Sequence, residues 1–389
     1  MTRETPQGTS PSIGIVAGEP SGDLLGSLLI RALQNAGHAA KFSGIAGPRM
    51  QAAGARSLFP METLAVRGYV EALTNLPAIL RIRRQLTARL LAERPRLFIG
   101  IDAPDFNLGL EAHLKRKGIP SVHFVSPSIW AWRRNRIRKI RRAVSHMLCI
   151  FPFEEAIYRE AGIPASYVGH PLAYALPERP DRMGARARLG LHPERRYVAL
   201  LPGSRQSEVA HLAERYVATA QKLLAERPEL LFLVPVISHE TKRIFLEALH
   251  RQEATELPLR ILFGHPHDAM QAADVALIAS GTATLEALLL NCPHVITYHV
   301  PWLTYQIMRR QAYLPWVGLP NILAGVEIVP ERLQDKATPD ELARALLELI
   351  DDAGRRKTML ESFADIRTRL RRDTPSLIAS ALHPFLECE

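Results

Sequence analysis

Carboxylates and phosphate-compatible turns recur in this chain where short apolar runs end. Residues 274–279 form one such run. Ser280-Gly281-Thr282 is a turn, and 283–291 reads as a helix with Leu285, Leu288 and Leu289 on one face and Pro293 just beyond its end. A strand that turns through glycine into a helix aims free backbone N–H groups and the positive end of the helix dipole at whatever lies above it, which suits a phosphate. Glu286 falls in the first helical turn, where a carboxylate can accept hydrogen bonds from a ribose diol. The run at 197–201 ends similarly, in Pro202-Gly203-Ser204-Arg205, with a helix expected over about 207–226. Gly203 lets the backbone approach a ligand, and Arg205 can fork onto a phosphate. Asn321, opening the segment 321–325, offers a donor and an acceptor suited to a base or a phosphate.

The first half carries acids instead. Residues 13–17 are strand-like and run into Gly18-Glu19-Pro20-Ser21-Gly22-Asp23, followed by a leucine-rich helix that ends at Gly37. The loop is not GxGxxG, so a dinucleotide fingerprint is not supported. Glu19 and Asp23 argue against phosphate here and suit a neutral sugar or a hydroxyl-bearing acceptor; the plain alternative is that Asp23 caps the helix. The strand at 96–101 ends at Asp102-Ala103-Pro104-Asp105. Ligands gather at the carboxyl ends of strands in an open parallel sheet, so Asp102 and Asp105 sit where a general base would. A helix cap and a turn explain two such acids equally well.

Two further stretches combine apolar and basic residues. At 64–84, Val66, Tyr69, Val70, Leu73, Leu76, Ile79 and Leu80 form a broad apolar series followed by Arg81, Arg83 and Arg84. Gly68 and Pro77 predict a break, so the stretch reads as two short helices. An apolar patch flanked by arginines fits an anionic membrane surface; two core helices are the alternative. The strand at 122–125 leads into Trp130, Trp132 and a helix bearing Arg133, Arg134, Arg136, Arg138, Lys139, Arg141 and Arg142. Two tryptophans are too few for a nucleic-acid stacking groove. The helix fits phosphate or lipid head groups, or a plain solvated face. His170 reads as structural. His265, His267 and Asp268 are a weak metal signal without a third histidine nearby, so no metal site is predicted.

These loops must be held by two consecutive β-α-β halves, which predict an α/β protein of two Rossmann-like domains facing a cleft. The expected boundaries are 1–172, 173–350 and a helical tail at 351–389 that crosses back or packs on a partner subunit. A linker is expected at about 172–185, where Pro177, Pro180 and Gly184 interrupt all periodicity. A chain of 389 residues, 47% hydrophobic, can bury two cores. Net charge +10 and pI near 9.8 favour anionic partners. Three widely spaced cysteines without zinc or CxxC spacing predict a reducing compartment. Residues 1–12 lack the apolar core of a signal peptide, and no run of 18 apolar residues occurs.

GEPSGDLLG at 18–26, GIAGPRMQAAG at 44–54, GIDAPDFN at 100–107, VSPSIWAWRRNR at 125–136, VGHPL at 168–172, LPGSRQSEV at 201–209, SGTATLEALL at 280–289 and LPNILAG at 319–325 together closely resemble the lipid-A-disaccharide synthases. The resemblance runs from about Ile13 to the last helices. It implies a GT-B-like fold and an inverting transfer of 2,3-diacylglucosamine from UDP to 2,3-diacylglucosamine 1-phosphate (lipid X), giving a β-1,6 disaccharide and UDP without a cofactor or metal. It implies Asp102 as the base, and Gly203, Ser204, Arg205, Gly281, Thr282, Glu286 and Asn321 on UDP. Glu19, Ser21 and Asp23 would line the acceptor cleft, with Trp130 and Arg133 near the acceptor phosphate. Lipid substrates turn the reading of Val70, Leu73, Leu76, Ile79 and Leu80 towards membrane docking. A homodimer with exchanged C-terminal segments and a cytoplasmic, peripheral place on the inner face of the bacterial inner membrane are also implied, with no nucleic-acid partner. Two rivals make other demands: a UDP-sugar epimerase would need no lipid-facing patch, and an RNA-binding protein would not need two phosphate turns together with Asp102.

Overall fold

The apolar runs of the first half become parallel strands: β1 (Ser12–Ala17), β2 (Lys41–Ile45), β3 (Ala55–Ser57), β4 (Leu97–Ile101), β5 (Ser121–Phe124), β6 (His146–Cys149) and β7 (Ala165–Tyr167). The computed structural model describes residues 11–64, 69–131, 134–311 and 313–387; at 69–75, 303–304 and 307–308 the description extends to the backbone only. The chain divides into two units, residues 1–174 with 370–389, and residues 175–369.

In unit 1 the strand order is β3-β2-β1-β4-β5-β6-β7, parallel throughout. Parallel strands are covered on both faces, which is why β4 reads LFIGI without alternation and is wholly buried. The chain winds outward from β1 to β3 and then returns to β4 on the other side of β1. The loops after β1 and β4 therefore flank the point where the winding reverses. Helix α1 (Pro20–Asn35) follows β1, short α2 (Pro48–Ala52) follows β2, and α4 (Pro104–Arg116) follows β4.

Helix α3 (Tyr69–Glu93) corrects the expected break, because it runs unbroken through Pro77. An interior proline forfeits one ladder hydrogen bond and costs roughly 3 kcal/mol. Leu86 and Leu90 are fully buried further along the same helix, and each contributes roughly 1.5–3 kcal/mol. Packing outweighs the local breaker. Gly68 and Val66 lie outside the described residues.

Unit 2 repeats the plan with β8 (Arg196–Leu201), β9 (Leu230–Val236), β10 (Leu259–Phe263), β11 (Val275–Ala279), β12 (His294–Tyr298) and β13 (Glu331–Leu333) in the order β10-β9-β8-β11-β12-β13, all parallel. Its winding reverses between β8 and β11. In the stretch of the expected linker lie two short helices, Pro171–Ala175 and Arg182–Arg188. Asp181 caps the second by accepting from Gly184 N. Buried Arg186 anchors it, donating to Ala272 O at 2.9 Å and to Asp274 at 3.1 Å. These partners lie far away in sequence, so periodicity did not reveal them.

The chain leaves unit 2 at Arg369. From Leu370 it belongs to unit 1, where helix Thr374–Leu382 packs along α1 and Phe385 O accepts from Arg96 Nε at 3.1 Å. Among the described residues no helix is long and apolar enough to cross a membrane.

Candidate functional site

In unit 1, Asp102 directly follows β4 and is partly buried. Asp102 and Ala103 both take left-handed backbone conformations, φ 49° and 43°. Neither is glycine, so each costs roughly 1–3 kcal/mol and persists only because its surroundings impose it. Asp102 N donates to Phe124 O at 2.9 Å, and buried Asn107 donates through Nδ2 to Asp102 O at 2.8 Å and Ile101 O at 3.3 Å. Asp105, the other acid of this loop, is exposed and paired with Arg136 at 2.8 Å. The loop after β1 comes close: a Cβ on Gly18 would lie 2.8 Å from Ala103 Cβ.

In that loop Glu19 and Ser21 are exposed at the start of α1. Asp23 is not available to a ligand. It is 3% exposed, and its oxygens accept from Arg49 N and Met50 N, each at 2.9 Å. It caps the neighbouring helix α2, so its expected place lining the cleft is corrected. The charge stays buried because both oxygens meet backbone donors at a helix start.

Trp130 is anchored as well. Its indole N–H donates to Glu154 Oε1 at 3.0 Å, and its ring lies edge-on to Phe151 and Phe153 at 6.0 and 5.3 Å. Glu154 is 1% exposed and also accepts from Ile150 N and Phe151 N. Burial pushes its carboxyl up to about 7, against those hydrogen bonds. His170 is buried, accepts from Leu172 N and is driven down to about 4 by burial, in keeping with a structural role. Arg133 lies outside the described residues.

In unit 2 the two turns leave the neighbouring strands β8 and β11. Gly203 has φ 123°, and Arg205 is the exposed N-cap of helix Gln206–Glu226. The turn's N–H groups already hold an anion: Glu208 Oε2 accepts from Ser204 N at 3.1 Å and Arg205 N at 3.2 Å. A Cβ on Gly203 would sit 2.7 Å from Glu208 Cβ, so glycine is what admits this carboxylate. The sequence reading missed Glu208, although a glutamate three residues after an N-cap is a recognisable signal. Across β11, Gly281 and Thr282 are exposed at the start of helix Thr282–Leu289, with open space above Gly281. Glu286 is partly buried and shares a hydrogen bond of 3.1 Å with His267 Nε2. That bond raises the His267 imidazole above its ordinary value. His267 therefore serves a carboxylate, and the described residues hold no cluster of three metal-ligating side chains.

Asn321 is corrected too. It is fully buried, donates to Val329 O and Glu331 Oε1, and accepts from Ile328 N and Val329 N. Both ends of its amide are committed to folding the 321–331 segment, which leaves nothing for a base or phosphate. On α3, Leu76 is 46% exposed, Ile79 and Leu80 are partly buried, and Arg81 and Arg84 are exposed. Val70 and Leu73 lie on the same helix, at its start.

With this geometry in view, residues 13–382 match the family model described as lipid-A-disaccharide synthetase. The lipid-A-disaccharide synthase of Methylobacillus flagellatus is 56% identical over 97% of this chain and 100% of its own. That of Aromatoleum aromaticum is 54% identical over 96% of each. Among solved structures, the calicheamicin glycosyltransferase CalG4 superposes with TM-score 0.60 at 16% identity, covering 97% of this chain and 98% of its own. A putative UDP-N-acetylglucosamine 2-epimerase from Listeria monocytogenes gives TM-score 0.65 at 11% identity, over 98% of each. Likeness at that identity shows the fold alone, which transferases and epimerases share; the close relatives separate the two.

Proposed function

Because the chain belongs to the lipid-A-disaccharide synthase family, we propose that it condenses UDP-2,3-diacylglucosamine with 2,3-diacylglucosamine 1-phosphate, forming the β-1,6 disaccharide 1-phosphate and releasing UDP. The observation that carries the assignment of parts is topological. The carboxylate loop of unit 1 and both glycine turns of unit 2 all leave strands that flank a winding reversal, where ligands bind in open α/β sheets. In this reading the acceptor 6-hydroxyl oxygen attacks the donor C1. Asp102 takes the hydroxyl proton, and the electrons of the C1–O bond leave with the diphosphate in a single inverting displacement. The exposed turns at Gly203-Ser204-Arg205 and Gly281-Thr282 meet the diphosphate, and Glu286, held by His267, meets the ribose. Glu19 and Ser21 face the acceptor. Asp105, paired with Arg136, is the less available of the two acids.

UDP release from the donor, with and without lipid X, tests this. Release is expected to require lipid X, to be unchanged by EDTA, and to fall at least ~100-fold in Asp102→Asn, the usual scale for removing a general base. An active, folded Asp102→Asn removes Asp102 from the mechanism. Turnover of the donor without lipid X refutes the transfer.

We further infer a peripheral place on an anionic membrane face, supported by Leu76, Ile79 and Leu80 followed by Arg81 and Arg84 on α3. Liposomes rich in anionic lipid should bind the protein, and Leu76→Asp with Arg81→Glu should abolish flotation. A homodimer that exchanges its C-terminal segment would supply the contact on α1 from a partner, which light scattering of a chain truncated after Arg369 checks.

A further inference from the structure

Beneath the Asp102 turn lies a buried ion pair that the proposed reaction has not used. Glu111 Oε1 and His123 Nδ1 are 2.6 Å apart, and both side chains are 0% exposed. Their place is set by the strands. In the β4–β5 register Gly100 stands opposite His123, and the next pair, Ile101 and Phe124, leads to the bond from Asp102 N to Phe124 O. Glu111 and Asn107 are one turn apart on α4, and both press on Gly100. A Cβ there would lie 2.1 Å from Glu111 Oε1 and 3.0 Å from Asn107 Cβ. Gly100, two residues before Asp102, clears the room for this cluster.

The cluster is not one that stability favours. Asn107 Oδ1, Glu111 Oε2 and His123 Nε2 are buried and find no hydrogen-bond partner among the described residues. Each such atom gives up the hydrogen bonds it would make to water in the unfolded chain. Buried ion pairs are in general no more stabilising than apolar residues of the same size. Burial alone would lower the His123 proton affinity. The Glu111 carboxylate, through charge and hydrogen bond, and then Asp102 through charge, lift it above its ordinary value instead. Those two carboxylates are the charged groups that raise it.

We propose that Glu111 and His123 are positioning residues for the transfer: as a buried pair they hold the strained Asp102 turn through Asn107 and β5. The inference rests on the reading of Asp102 as the base. The pair acts through the turn that carries the carboxylate, without itself touching substrate.

The test is a double-mutant cycle on the full chain. Glu111→Gln and His123→Gln are each made alone and with Asp102→Asn, and folding is checked by near-UV circular dichroism. In each single variant kcat for UDP release should fall about 10- to 100-fold while both KM values stay within about threefold. Combined with Asp102→Asn, neither should lower kcat further, since groups that act through one residue are not additive. Losses that multiply, folded variants with unchanged kcat, or variants that cannot fold or lose kcat and both KM values together each overturn the proposal. An active Asp102→Asn overturns it together with the base assignment, whereas an inactive Asp102→Asn beside fully active pair variants overturns the pair alone.

Discussion

Glu154 offers the sharpest test of how the Trp130 loop is built. Its carboxyl is pushed from an ordinary value near 4.5 to about 7 because burial outweighs four hydrogen bonds, from Phe151 N, Trp130, Ile150 N and Ser126. A carboxyl whose proton is held more tightly when folded contributes stability that is fully present below pH 4.5. That stability is lost as pH rises through about 7. At 1.36 kcal/mol per unit the loss is about 3 kcal/mol. Glu154→Gln does not titrate, but its amide cannot accept on both sides. Either Trp130 Nε1 or the pair Ile150 N and Phe151 N then faces an NH2 group, at a cost of about 1–3 kcal/mol. The two stability curves must therefore cross. Near pH 5 the variant should be less stable by about 2 kcal/mol, or roughly 4–8 °C in Tm for a unit of this size. By pH 8.5 it should equal or exceed the parent. Chemical unfolding followed by tryptophan fluorescence at five or six pH values measures the difference directly, with other titrating groups cancelling between the two proteins. A gap that stays constant with pH refutes the assignment of the raised carboxyl, and no gap at pH 5 refutes the hydrogen-bonded anchor.

Two other substitutions separate folding from ligand contact in unit 2. Asn321→Ala strands the N–H groups of Ile328 and Val329, so it should lose about 2–4 kcal/mol in thermal unfolding while the folded fraction binds UDP with unchanged affinity by calorimetry; a selective loss of UDP binding returns Asn321 to the site. Glu208→Gln takes negative charge off the N–H groups of Ser204 and Arg205, so UDP should bind about 3- to 10-fold more tightly at low salt; weaker binding would make Glu208 a holder of the turn in its liganded form.

The parts of this molecule that depend on near neighbours in sequence are the ones legible without a structure. Uninterrupted apolar runs such as VALIA at 275–279 mark strands buried on both faces, and the glycine turns that follow them mark helix starts. Winding order then places those turns beside one another. What escaped depends on partners far along the chain. Asp23 has the composition of a cap for its own helix, yet caps another one 26 residues away. Asn321 reads as a ligand group until the four bonds it makes across 328–331 are counted. Glu154 meets Trp130 across 24 residues, and no spacing rule connects them. Pro77 shows the opposite failure: a strong local signal overridden by leucines that sit in a core.

The bond between Arg96 and Phe385 joins residues 289 apart, and that separation carries a time. A ribosome adds roughly 5–20 residues per second, so the wait between making Arg96 and making its partner is roughly 15–60 s. Unit 2 is contiguous and can close during that interval. Unit 1 cannot, because the groove along α1 that receives helix Thr374–Leu382 stays bare until that helix emerges. The half that carries Asp102 is thus the later to be finished, although its strands are the first to be made, and a nascent chain stalled short of Leu370 would carry a closed unit 2 and an unsealed unit 1.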